Sequence, residues 1–134
     1  GILIEAASIG VKVCGSDISP TMVDGCIRNM EHFQLPYERM EVADIGDIGS
    51  VFGRVDAVAT DPPYGRATST MKEPLGELYD RAMGSISEVL DRGSRACVVL
   101  PRPCPRSEGM EIVHHHLQKV HRSLSRNYCV LRRR

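Results

Sequence analysis

Val55-Asp56-Ala57-Val58-Ala59-Thr60-Asp61-Pro62-Pro63-Tyr64-Gly65-Arg66 is a short, mostly apolar run that ends on a carboxylate, two prolines, an aromatic ring and a glycine. Runs of this kind form buried strands of parallel sheets, and open α/β sheets bind ligands just beyond the carboxyl ends of such strands. Pro62 and Pro63 fix φ and remove two backbone donors, so the turn is stiff and its carbonyls are expected to point outward as acceptors. Asp61 adds a side-chain acceptor and Tyr64 a flat π face. Acceptors beside a flat face suit a planar ring that carries an exocyclic amino group.

Upstream of this run, Ile2, Leu3, Ala6 and Ala7 fall on one helical face, with Gly10 placed to end the helix. Val11–Ile18 reads as a strand closing on Asp17. Ser19 is a candidate N-cap with Pro20 at the first helical position, though the capping box lacks its glutamate. Met22, Val23, Cys26, Ile27 and Met30 then give an amphipathic helix to about Phe33, and Met40–Ile45 a second strand containing Asp44. Downstream, Leu75, Leu78, Tyr79, Ala82, Met83, Ile86, Val89 and Leu90 make the clearest helical stripe, with Gly93 as its expected stop. Ala96–Leu100 is a further buried strand; a helix near 107–113 and a strand pair over 116–122 and 127–133 complete the reading. Alternating helices and strands predict a doubly wound α/β domain of Rossmann-like type, with helices on both faces of the sheet.

Three of these strands lead to a carboxylate, at Asp17, Asp44 and Asp61. In a parallel sheet such ends share one edge, so the three acids are expected to line one cleft. Asp17 stands where Rossmann-like domains place the acid that accepts hydrogen bonds from ribose hydroxyls.

Composition sets broad limits. The 134 residues are expected to form a single domain over 1–134, with ordinary hydrophobic content (42%) and charged content (25%). No apolar run approaches a membrane span and no charged-then-apolar leader is present, so a cytoplasmic protein without membrane attachment is expected. The formal net charge is zero, but residues 1–100 carry 9 basic against 15 acidic side chains and residues 101–134 carry 8 against 2. The basic set Arg102, Arg106, Lys119, Arg122, Arg126 and Arg132–Arg134 is either a phosphate-facing segment or a solvated tail. Cys14, Cys26, Cys97, Cys104 and Cys129 contain no Cys-x-x-Cys pair and read as thiols of a reducing compartment, most of them in the core. No metal site is expected, since His114-His115-His116 would point to alternate faces of a strand.

The tetrad Asp61-Pro62-Pro63-Tyr64 resembles the signature of amino-group methyltransferases that use S-adenosylmethionine (SAM). The longer string Asp61–Thr70, DPPYGRATST, resembles more narrowly the tRNA guanosine-N2 methyltransferases that act at position 10. The resemblance implies a class I methyltransferase sheet and a tRNA substrate. It implies that Asp44 accepts from the adenine amino group of SAM, with Ile45 and Ile18 on either side of the ring and Asp61 bordering the cofactor. Asp61 and the Pro62 carbonyl would accept the two protons of a guanine amino group, Pro63 would stiffen the turn, and Tyr64 would stack on the base. Gly65, Arg66, Arg122 and Arg126 are the candidate substrate and RNA contacts.

The family's first strand and glycine loop would lie before or at Gly1, which is placed as the loop's last glycine. The expectation is therefore a truncated catalytic domain that binds SAM weakly or not at all by itself, in a protein whose RNA-binding (THUMP) domain or partner subunit lies elsewhere. Rival readings are the same chemistry on a DNA base or a protein glutamine, a non-catalytic fragment or partner subunit of the same fold, and a nicotinamide-dependent dehydrogenase. The last leaves the proline-rich tetrad and the closing strand pair unexplained.

Overall fold

The computed structural model describes residues 1–64 and 73–134. Two compact units follow one another along the chain, Gly1–Gly53 and Arg54–Arg134.

In the first unit, helix α1 (Ile2–Ser8) precedes strand β1 (Cys14–Asp17), helix α2 (Pro20–His32) and strand β2 (Arg39–Val42). Ala7, Val13 and Met30 form its buried centre, with Leu3, Ile4, Ala6, Cys26, Leu35 and Met40 packed around them. Ile2, assigned to the apolar face from spacing, is 44% exposed, and so is Met22 at 59%. At both positions the stripe is narrower than the sequence suggests. Gly10, at φ 87°, ends α1 as expected: its N–H donates to Ala7 O and that of Val11 to Ala6 O, which satisfies two orphan carbonyls. Gly15 lies so close beneath α1 that a Cβ there would stand 2.6 Å from Leu3 Cδ1, so a larger residue would make the Leu3 side chain shift. Ser19 caps α2 through a bond from Met22 N, with Pro20 opening the helix.

Strands β1 and β2 run parallel, with Cys14 opposite Arg39 and Asp17 opposite Val42. A 3₁₀ turn (Ile45–Asp47) and a short helix α3 (Ile48–Phe52) follow, neither of which the apolar spacing revealed.

The second unit is built on a four-stranded sheet in the order β3-β4-β6-β5. Its strands are β3 (Val55–Thr60), β4 (Leu90–Leu100), β5 (Met110–His121) and β6 (Leu124–Arg133), with helix α4 (Leu75–Val89) between β3 and β4. β3 and β4 are parallel, and β6 is antiparallel to both β4 and β5. The expected closing strand pair is thus present, with the later strand inserted inside the sheet. α4 buries Tyr79, Ala82, Met83, Ile86, Ser87 and Val89, close to the stripe read from sequence.

Two expectations for this unit fail. Gly93 does not end α4: the helix stops at Val89 and the chain enters β4 at once, with Leu90 fully buried opposite Val55. The register then jumps from Val55–Leu90 to Ala57–Arg95, so residues 91–94 bulge around Gly93, whose φ is 87°. Nor is there a helix near 107–113. Met110 begins β5 opposite Arg133, after a turn at Gly109 with φ 73°. Ile112 and Val113 suit a strand, and pairing with β6 decides the matter for a segment too short for periodicity to arbitrate.

The cysteine reading also changes. Cys104 and Cys129 form a disulfide, while Cys14, Cys26 and Cys97 are free. Burial holds the Cys14 and Cys97 thiols above their ordinary pKa, which keeps them protonated and unreactive. The bridge spans 25 residues and ties the segment after β4 to the middle of β6. Loop-closure entropy for a span of that length is worth about 3.5 kcal/mol. We expect Cys104→Ser to lower the stability of this unit by about that much in urea titration. A non-reduced tryptic digest of the unaltered protein is expected to yield the cross-linked peptide.

No described helix is long and apolar enough to cross a membrane. Among the described residues no group of three or more His, Cys, Asp or Glu side chains is placed to hold a metal ion. His115 instead hydrogen-bonds across the sheet, its Nε2 lying 2.8 Å from Asn127 Oδ1.

Candidate active site

Sheet geometry gathers the site in the second unit. Thr60 pairs with Val98 in the parallel strands β3 and β4, so Asp61 and Pro101 leave the sheet at the same edge. Leu100 pairs with Asn127, which brings the start of antiparallel β6 to that edge as well. Asp61–Tyr64, Arg102 and Arg126 therefore come together from three strand ends.

Within this group the Tyr64 hydroxyl donates to Asp61 Oδ1, a short bond across one turn of loop. Tyr64 was expected only as a stacking ring; its hydroxyl also orients the carboxylate. The Arg126 guanidinium lies 5.7 Å from the Tyr64 ring centroid. The Pro63 carbonyl does not point outward as expected. It accepts a 2.6 Å bond from the hydroxyl of Tyr79, a buried residue of α4. Arg102 in turn covers the Tyr79 ring at 4.6 Å. Gly65 and Arg66 lie outside the described residues.

Burial first, then the hydrogen bond to Asp61 and the charge of that carboxylate, push the Tyr64 phenol up to about 12, against a smaller opposing pull from Arg126. A phenol that stays neutral at ordinary pH remains a donor to Asp61. The folded pKa exceeds the unfolded value of about 10, so this contribution to stability is complete below pH ~10 and is lost as pH rises towards ~12. We expect the urea midpoint to fall across that window, and Tyr64→Phe to remove Tyr64's share of the fall.

The basic set divides between two edges of the sheet. Arg102, Arg122 and Arg126 lie at the Asp61 edge, Arg122 being exposed in the turn between β5 and β6. Arg132 is at the opposite edge, paired with Glu111 at 2.8 Å, while Arg133 donates to Gly109 O and Arg134 approaches Glu111 at 3.8 Å. Arg102 was expected only as one of a basic set and Tyr79 only as part of a helical stripe, so neither was read as a site residue. Tyr79 is the one residue of the α4 stripe with a polar tip, and that was the available signal.

In the first unit the parallel pairing brings Asp17 and Asp44 to one edge, Asp17 at the last residue of β1 and Asp44 two residues beyond β2. Each carboxylate shapes the turn that follows it. Asp17 Oδ1 accepts from Ser19 N at 2.8 Å, and Asp44 Oδ1 from Gly46 N at 2.7 Å. A carboxylate has lone pairs for several donors, so these local bonds are compatible with further contacts. Ile18 is 38% exposed beside Asp17, and Ile45 half-buried beside Asp44. Gly1 is exposed and its carbonyl accepts from the N–H groups of Ile4 and Glu5 in α1.

A family model described as UPF0020: RMKL-like, methyltransferase domain matches residues 1–127. The chain belongs to that family. The match runs through both units of this RMKL-like methyltransferase domain. Among curated proteins the domain is similar to the tRNA (guanine(10)-N2)-dimethyltransferase of Pyrococcus abyssi, 36% identical over 141 residues, covering all of this chain and 42% of the relative. The protein of the same name from Methanothermobacter thermautotrophicus is 34% identical, with 99% of this chain and 40% of the relative covered. The chain thus spans about two fifths of the length of these curated relatives. Among solved structures, TrmN from Thermus thermophilus superposes with a TM-score of 0.84 at 22% identity, over 99% of this chain and 40% of that one. Together these findings establish the α/β fold of class I methyltransferases for this domain.

Proposed function

We propose that the protein containing this chain transfers a methyl group from S-adenosylmethionine to the exocyclic N2 amino group of a guanosine in tRNA, at position 10. The observation that carries the reading is an Asp61 carboxylate at the carboxyl end of β3, oriented by the Tyr64 hydroxyl in a loop pinned at Pro63. The names of the two curated relatives support the choice of substrate. On this reading residues 1–134 are part of one methyltransferase domain that works in the cytoplasm, a setting against which the Cys104–Cys129 bridge counts.

SAM, when bound, supplies a methyl group already made electrophilic by the sulfonium. Asp17 and Asp44 would suit its ribose hydroxyls and adenine amino group, with Ile18 and Ile45 against the ring and Gly1 near its methionine end. What the chain must add is placement of a weak nucleophile. A guanine amino group has its lone pair delocalised into the ring; accepting its protons at Asp61 and at the Pro62 carbonyl turns that lone pair outward. SAM would supply the methyl carbon to that nitrogen, with the sulfur leaving as a neutral thioether that keeps the bonding electrons. The proton shed by nitrogen passes to the exposed Asp61 carboxylate and on to solvent. Asp61 also offsets the positive charge that grows on nitrogen, and positioning of this kind is worth about 7–11 kcal/mol. Tyr64 stacks on the base by the ring face away from Arg126. A base within a stem must leave its stack to reach this edge, at a cost of a few kcal/mol. Arg122 and Arg126, with Gly65 and Arg66 in the loop, are the candidate contacts to the RNA backbone.

The test is tritiated methyl transfer from SAM to bulk tRNA, DNA and protein by the intact protein, followed by nucleoside analysis of the labelled RNA. The expected product is N2-methylated guanosine in tRNA. Label confined to DNA or protein would replace this substrate with one of the rival amines.

A further inference from the structure

The loop that carries Asp61 is held from below by a residue outside the proline-rich tetrad. Tyr79 is 2% exposed, and its hydroxyl meets the carbonyl of Pro63 at 2.6 Å. That carbonyl belongs to the peptide bond leading into Tyr64, so the bond fixes the plane from which Tyr64 departs. Tyr64 then reaches back three residues to Asp61. Tyr79 itself has little freedom: α4 buries its side chain together with Ala82, Met83 and Ile86, and Arg102 lies across its ring.

We propose that Tyr79 is a positioning residue of the methyl-transfer site, acting through the Pro63 carbonyl to hold Tyr64 against Asp61. This rests on the functional reading above for its effect on turnover, though not for its effect on Tyr64. It explains why a buried tyrosine, rather than phenylalanine, occupies the α4 stripe at this height. Two prolines limit φ but leave ψ of Pro63 free, and that is the torsion the Tyr79 bond restrains. An acid displaced by about 1 Å from its working position commonly costs a hundredfold in rate.

Tyr79→Phe, and 4-fluorophenylalanine at position 79 to fill the hydroxyl's space without a donor, separate this role from simple packing. Both are made in the intact protein, and circular dichroism and a thermal melt check the fold. Two readouts are taken. One is the ultraviolet titration of Tyr64, identified by difference against Tyr64→Phe; the groups acting on it are Asp61, Arg126 and Tyr128. We expect its pKa to fall by about one unit toward the ordinary phenol value in both variants. The other is steady-state kinetics, where kcat should fall about 10- to 100-fold while KM for SAM and for tRNA changes less than about threefold. Tyr79→Phe in a Tyr64→Phe background should then cost little more than Tyr64→Phe alone.

An unmoved Tyr64 titration in a folded variant overturns the proposal, and so does unchanged kcat in a protein that methylates tRNA. A shifted titration in a protein that methylates no tRNA leaves the positioning role standing and removes the functional reading instead.

Discussion

Asp61→Ala is expected to reduce methyl transfer about a thousandfold while SAM affinity stays within about twofold. The carboxylate meets the growing positive charge on nitrogen and accepts its proton, and both contributions vanish with the side chain. Loss of one preorganised electrostatic partner costs about 3–4 kcal/mol in sites of this type. Cofactor affinity is spared because its main contacts are assigned to Asp17, Ile18, Asp44 and Ile45. Asp61→Asn is the informative partner variant. It keeps an acceptor for the Tyr64 hydroxyl and removes the charge, so a loss between those of Ala and the unaltered protein is expected. Single-turnover rates and calorimetric SAM titration measure the two quantities. Turnover of Asp61→Ala within tenfold of the unaltered protein would remove Asp61 from the mechanism.

The second large effect is on stability. Leu131 is 1% exposed in β6, opposite Ala96 of β4 and Ile112 of β5. Leu131→Ala should destabilise the second unit by about 2–5 kcal/mol, the sum of lost burial and a residual cavity. Leu117, on β5 and 57% exposed, provides the contrast; its alanine variant should stay within about 0.5 kcal/mol. Urea denaturation reads both, with unchanged m-values showing that stability alone has moved. A loss below about 1 kcal/mol at Leu131 would mean that β6 is not the packed centre of its sheet.

The parts of the fold legible in sequence were those that carry their own local signal. Ser19 and Pro20 announced the start of α2, Gly10 the end of α1, and the stripe from Leu75 to Val89 the run of α4. Val55–Thr60 was read as a buried strand because β-branched and small apolar residues precede a proline turn; the strand is there, but at the end of its four-stranded sheet and with no buried residue. What failed was decided by distant partners. Residues 110–113, expected within a helix, became the start of β5 through pairing with β6, whereas 116–122 had been read as a strand from the outset. Cys104 and Cys129 meet because the segment after β4 passes β6, a proximity the 25-residue separation does not encode.

The site shows the same division. Asp61, Pro62, Pro63 and Tyr64 were identifiable because four consecutive residue types carry the chemistry. Their mutual contacts were not. That the Tyr64 hydroxyl turns back to Asp61, and that Pro63 is held by Tyr79 from sixteen residues away, are results of tertiary packing. The division of the arginines was equally hidden, since Arg126 and Arg132 are close in sequence yet lie at opposite edges of the sheet.

The place of β6 between β4 and β5 also sets an order of assembly. As the polypeptide leaves the ribosome, β4 and β5 emerge with no bonds available between them, and the slot they flank stays open until β6 has been made. Until then the β4 and β5 edges that β6 will cover have no partner, and unpaired strand edges invite pairing between chains. A polypeptide cut short before Cys129 would therefore lack both the strand that joins β4 to β5 and the disulfide partner of Cys104.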